Sequence, residues 1–168
     1  MPSVVDVVNN ALDKLGQSPI TSLEDGNKTA SLANRKWNII RKRLLRSHVW
    51  NFAVKRTTLA PLSESPSWGF TYQHEMPSDL LRVIEVKDLS AGEYQIENNR
   101  LFCDDDVVYL RYVYDVTDPN EYDSLFIDLL STMLAFDMCE ALTQSNTKKQ
   151  LLADELNQLV SSPALNDV

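Results

Sequence analysis

Histidine, cysteine and glycine are scarce in this chain of 168 residues, which holds two, two and four of them. With only His48 and His74, histidine-based active sites and metal sites lack parts. Cys103 and Cys139 are too few for a disulfide scaffold and have no local partner at metal-ligand spacing, as expected of a reduced protein assembled in a cytosol. The glycines form no phosphate-cradling loop. No segment approaches the roughly 18 uncharged apolar residues of a membrane span. The opening MPSVVDVVNNALDKLG carries no basic leader ahead of a long apolar run, so neither secretion nor membrane association is expected.

What is present suits one ordinary domain. Hydrophobic residues make up 43% of the chain, and size scaling removes roughly 70% of the extended surface from water, so metal or disulfide staples are unnecessary. The formal net charge of −8 and a pI near 4.7 exclude uniform attraction to DNA. That charge is divided along the sequence. Lys28, Arg35, Lys36, Arg41, Lys42, Arg43, Arg46, Lys55 and Arg56 fall in a stretch without one acid, whereas residues 64–140 contain seventeen acids and only Arg82, Lys87, Arg100 and Arg111. If the two blocks stay on separate surfaces, like subunits can pair positive to negative around a ring; the alternative is neutralisation within one chain.

Apolar spacing and caps predict the elements. Ser3 with Asp6 caps a short helix whose stripe is Val4, Val7, Val8, Ala11, Leu12 and Leu15, closed by Gly16. A second helix is expected over residues 28–47, with Ala30, Ala33, Trp37, Ile40 and Leu44 inward and the basic residues elsewhere. The period then shifts toward two. A strand is expected from Trp50 through Phe52 and Val54 to Thr58, then a loop over 61–69 anchored by Trp68. Further strands are expected at Phe70 and Tyr72, over 80–86, in a hairpin turning at Asn98 and Asn99, and over 107–115. Asp118, Pro119 and Glu121 predict the start of a long third helix bearing Phe126, Phe136 and Cys139. A fourth helix is expected over 147–160 using Leu151, Leu152, Leu156, Leu159 and Val160. The fold class is therefore α+β, a mainly helical four-helix bundle with a small antiparallel β insertion at about 49–115 between helices two and three. Residues 1–160 are expected to form a single domain, and 161–168 a short flexible tail.

Candidate chemical groups are few. Asp104, Asp105 and Asp106 are adjacent on an extended segment, where side chains alternate in direction, so a solvated turn is expected rather than a metal or catalytic site. His48 and His74 lack a neighbouring nucleophile and base, and Cys139 and Cys103 suit apolar positions. Lys36, Arg41, Lys42, Arg43 and Arg46 with Trp37 and Trp50 also allow a second reading, a small nucleic-acid-binding regulatory module using the basic helix 28–46. Against it, Trp37 lies in the apolar stripe and Trp50 in an alternating run. With Phe52, Phe126 and Phe136 these two are the expected core anchors.

The segment 9–60, above all LGQSPITSL at 15–23 and LLRSHVWNFAVKR at 44–56, resembles the tail tubular protein A family, the head-to-tail adaptors of short-tailed phages and related prophages. The resemblance continues through FTYQHEMPSDLLRVIEV at 70–86, YQIENNRLF in the hairpin and LRYVYDVTDPNEYDSLFIDLLSTMLAFDMCEALT at 110–143. It implies a non-enzymatic adaptor of the virion head–tail junction, made in the host bacterial cytoplasm, with no cofactor and no metal. By the resemblance its partners are a portal protein, a tail nozzle protein and its own copies in a dodecameric ring, while an isolated chain can be monomeric. DNA would pass through the channel without sequence-specific binding. Lys28, Arg35, Lys36, Arg41, Lys42, Arg43 and Arg46 would then be an inter-subunit or portal-facing surface.

Overall fold

Ser3 starts the first helix. In the computed structural model, which describes residues 1–167, the Ser3 hydroxyl accepts from Asp6 N at 3.2 Å and the Asp6 carboxylate accepts from Ser3 N at 2.8 Å, a reciprocal capping box. The helix α1 (Val4–Lys14) buries Val7, Val8, Ala11 and Leu12. It ends in a Schellman arrangement, with Gly16 N on Asp13 O and Gln17 N on Leu12 O; this needs the positive φ of +64° at Gly16. Beyond it, the Asn9 amide both donates to and accepts from the Ile20 backbone, at 3.0 and 2.9 Å, which fixes the connecting loop. Asn27 then caps α2 (Lys28–Ser47) through Ala30 N.

Two compact units result: Met1–Ser47 with the chain from Val116 onward, and His48–Asp115. In the first, α3 (Ser124–Thr143) packs against α1, α2 and α4 (Asn146–Val160). Its buried residues, Phe126, Leu129, Leu130, Ser131, Thr132, Leu134, Ala135, Met138 and Cys139, run round most of its circumference, as required of a helix enclosed by others. The helix starts later than Asp118 and Pro119 predict. Those residues open only one 3-10 turn, Pro119–Glu121. Tyr122 then leaves helical geometry, buries its ring 4.8 Å from that of Phe126 and donates its hydroxyl to Val116 O at 2.9 Å. Asp123 restarts the helix by accepting from Leu125 N. On α4 only Leu152 is fully buried and Leu151 is 64% exposed, because neighbouring helical residues differ by about 100° in direction and cannot share one face. Ties to the first helix come from Lys14 with Glu155 at 2.6 Å and from Lys148 donating to Leu15 O. Past α4, Pro163–Asp167 forms a 3-10 turn; Val168, the end of the expected tail, lies outside the described residues.

The second unit holds two three-stranded antiparallel sheets. One has the order β1 (Val54–Leu59), β6 (Val108–Tyr114), β3 (Leu80–Val86); the other β2 (Tyr72–Glu75), β5 (Arg100–Cys103), β4 (Tyr94–Glu97). The expected strand from Trp50 is shortened, because Asn51–Ala53 takes a 3-10 turn with Ala53 N on Trp50 O. The 93–104 hairpin turns at Asn98 and Asn99, whose φ values of +46° and +60° fit a type I′ turn. Leu59, Val86, Val108, Leu110 and Tyr112 from one sheet and Leu101, Cys103 and Met76 from the other side meet in one buried cluster. Trp68 anchors nothing inward: it is 86% exposed, and its loop is held instead by Leu62 N on Gln73 O, Gln73 Nε2 on Glu64 O and Thr71 on Asp104.

Asp79 ties the first sheet together. Its carboxylate accepts from Lys55 Nζ of β1 and Tyr112 Oη of β6, both at 2.9 Å, and its carbonyl accepts from Asp115 N. Burial pushes this carboxyl up, but the bonds from Lys55 and Tyr112 and the lysine charge outweigh it and hold the group below its ordinary value. Burial, then the bond to Asp79 and its charge, push the Tyr112 phenol up from 10.0 to about 12. Asp79 therefore contributes stability that is present above the ordinary carboxylate range and lost as pH falls through its lowered value. Tyr112 contributes stability present below pH 10 and lost as pH rises through about 12. In an alkaline absorbance titration, Tyr112 should ionise near 12, in step with loss of the β signal, and Tyr112→Phe should remove that step. An alkaline step that is unchanged in Tyr112→Phe would contradict the assignment.

Candidate assembly surfaces

The second helix has two sides because its apolar residues repeat at three and four. Ala30, Leu32, Ala33, Trp37, Ile40, Leu44 and Leu45 are buried. Opposite them Lys28, Ser31, Arg35, Ile39, Lys42 and Arg46 follow one another at helical spacing along an exposed ridge, with Arg43 beside it. Ile39 is 63% exposed among these cations. Two lysines also brace the third helix: Lys36 pairs with Asp137 at 2.9 Å and Lys28 donates to Ala141 O at 3.0 Å.

Arg41 does not belong to that surface. It is 2% exposed, and donates from Nη1 to Val116 O at 2.8 Å and from Nη2 to Asn38 Oδ1 at 3.2 Å. Its place in the helical repeat, one residue after Ile40 and three before Leu44, turns it inward, where a long guanidinium can satisfy a buried carbonyl. Val116 O thus receives both Arg41 and Tyr122, at the point where the chain re-enters the helical unit.

Of the expected anchors, Trp37, Trp50 and Phe126 are buried, while Phe52 and Phe136 are half-buried. Lys149 Nζ lies 5.2 Å above the Phe136 ring, and His48 meets the edge of Trp50 at 4.9 Å. With Trp37 and Trp50 enclosed, neither offers a face for stacking on a base. The exposed tryptophan is Trp68, beside a shallow hollow lined by Pro66, Phe70 and Phe102.

Asp104, Asp105 and Asp106 are exposed and engaged in holding a turn. The Asp104 carboxylate accepts from Thr71 N and Oγ1, Asp105 O from the Cys103 thiol at 3.3 Å, and Asp106 O from His74 Nε2–H at 2.9 Å. His74 and Cys103 are fully buried, and burial pushes the thiol above its ordinary value, the reverse of what a nucleophile needs. Among the described residues no three His, Cys, Asp or Glu side chains are placed to hold a metal ion, and no helix is long and apolar enough to cross a membrane.

One basic surface is invisible in the linear charge pattern. On the outer face of the sheet β1-β6-β3, Arg56 lies directly across from Arg111, which lies across from Glu85, and Lys87 Nζ sits 5.3 Å from the Tyr109 ring. Three of the four cations in the acidic block, Arg82, Lys87 and Arg111, are carried to this face. The alternation within β6 places Tyr109 and Arg111 on one side; what sequence could not supply is the pairing that adds Arg56, Glu85 and Lys87.

A family model described as Tail tubular protein matches residues 5–102, from the first helix through the hairpin. The chain belongs to the tail tubular protein family. It is thereby a structural component of a phage tail and of the virion. No curated protein matches the sequence. Within this family member the two arginines of the second helix should behave oppositely. Arg41→Met should lower unfolding free energy by roughly 2–3 kcal/mol through the lost buried charged bonds, and Arg43→Met by less than about 0.5 kcal/mol. Chemical denaturation of the two variants measures this, and equal effects would contradict the placement of Arg41.

Proposed function

We propose that this tail protein is a head-to-tail adaptor, a closed ring of identical copies between the portal and the tail nozzle, through which DNA is retained and passed without being read. The reading rests on family membership together with the exposed ridge of Arg35, Ile39, Lys42 and Arg46 on the second helix. An exposed apolar side chain ringed by cations is suited to a protein surface of opposite charge, which fixes register and speeds encounter. Arg43 extends the same side; the ammonium groups of Lys28 and Lys36 are held by the third helix, and Arg41 is buried. Catalysis is not part of the proposal, since its work is mechanical: holding two assemblies together around a passage.

The nucleic-acid module remains the second reading, favoured by the same row of cations. The two separate cleanly in a reconstitution. Incubated with the portal ring of the same phage, the wild-type chain should form a closed multimer visible by electron microscopy, and Arg35→Glu with Arg43→Glu should reduce its occupancy about tenfold while circular dichroism stays unchanged. Salt-sensitive binding of the isolated chain to duplex DNA, abolished by the same reversals while portal occupancy is unaffected, would replace the adaptor reading with the alternative.

A further inference from the structure

The two sheets of His48–Asp115 share one buried cluster, so their outer faces point away from each other. Those faces carry opposite charge. On the first, Arg56, Lys87 and Arg111 surround a hollow of about 290 Å³ lined also by Thr58, Glu85 and Tyr109. The cations there are poorly satisfied: Arg56 and Arg111 are like charges directly opposed across two strands, an arrangement that destabilises a sheet on its own. Arg111 Nε is buried without a hydrogen-bond partner, 3.8 Å from Glu85 Oε1. Tyr109 is 52% exposed beside them.

On the second outer face, pairing places Glu75 and Glu97 on either side of Arg100, and Gln73 and Gln95 on either side of Phe102. Glu75, Glu97 and Gln95 are exposed. The 66–70 segment lies over this face, beside Gln95, Glu97 and Phe102, and holds out Trp68 at 86% exposure. Tryptophan presented so fully to water, next to carboxylates, has the composition of a contact centre rather than of a solvated loop.

A single unit that bears a cationic hollow on one side and an acidic, aromatic projection on the other is complementary to a second copy of itself in the head-to-tail sense, the kind of contact that forms a ring when the rotation between copies closes. We propose that neighbouring copies join through this unit, with Trp68, Glu75 and Glu97 of one copy seated on Arg56, Lys87 and Arg111 of the next. The indole face can stack on a guanidinium while the carboxylates relieve the Arg56–Arg111 opposition. The proposal rests on the ring reading above and deepens it by naming the contact between copies.

Charge exchange tests it on the full-length chain, alone and with the portal ring, with assembled mass as the readout and circular dichroism as the control for folding. R56E with K87E should cut the assembled fraction about tenfold or more, and E75K with E97K should do the same. The chain carrying all four changes should assemble again, because its faces are once more complementary. Mixing the two double variants should also restore an even-numbered ring of alternating copies. W68A should weaken assembly without altering the fold. A wild-type chain that forms no multimer in either setting counts against the ring reading and this contact together. A wild-type ring that tolerates both double reversals overturns the contact alone. Normal assembly of R56E/K87E with loss of binding to a short DNA duplex would assign the basic face to nucleic acid instead.

Discussion

The carbonyl of Val116 is the closure point of the helical unit. Arg41 reaches it from the second helix and Tyr122 from the turn before the third, at 2.8 and 2.9 Å. The unit is built from two stretches of chain with all of residues 48–115 between them, so its halves must be brought together at the cost of a long loop. Because closure entropy grows only with the logarithm of loop length, an intervening segment this large is tolerable. The third helix, buried almost all round, gives the apolar driving force. That force is non-directional, and two donors on one buried acceptor add the direction it lacks.

With closure handled by the buried Arg41, and with Lys28 and Lys36 bound to the third helix, Arg35, Lys42, Arg43 and Arg46 lie on the exposed side of the second helix. The same economy is seen in His48–Asp115, where polar groups that could suggest chemistry hold turns instead. His74 and Cys103 secure the 104–106 backbone, and Asp79 spans three strands. What remains at the surface is charge sorted by face, with isolated exposed apolar residues at Ile39 and Trp68. In the proposed adaptor role, such surfaces would supply specificity through complementarity between chains.

Local signals in the sequence were reliable wherever local physics decides. The Ser3–Asp6 box, the Gly16 terminus, the limits of the second helix, the Asn98–Asn99 turn and the strand at 80–86 all follow from capping, spacing or turn chemistry. Expectations failed where a competing bond, near or distant, overrides the local pattern. The Asp118–Pro119 start is cut short by the Tyr122 bond to Val116, the Trp50 alternation gives way to a 3-10 turn, and Arg41 is drawn inward from a basic run. Trp68 was expected to anchor its loop, yet backbone and side-chain bonds from its neighbours hold that loop and release the indole. The ridge on the second helix was legible because helical spacing alone defines it. The basic sheet face was not, since Arg56 and Arg111 become neighbours only through strand pairing.

Hydrogen exchange of the full-length chain in low denaturant tests the closure most directly. If the two halves form one cooperative unit, amides of Lys28–Ser47 and Ser124–Thr143 will open with the same free energy and the same denaturant dependence. Protection persisting in the first of these helices while the second exchanges freely would contradict it.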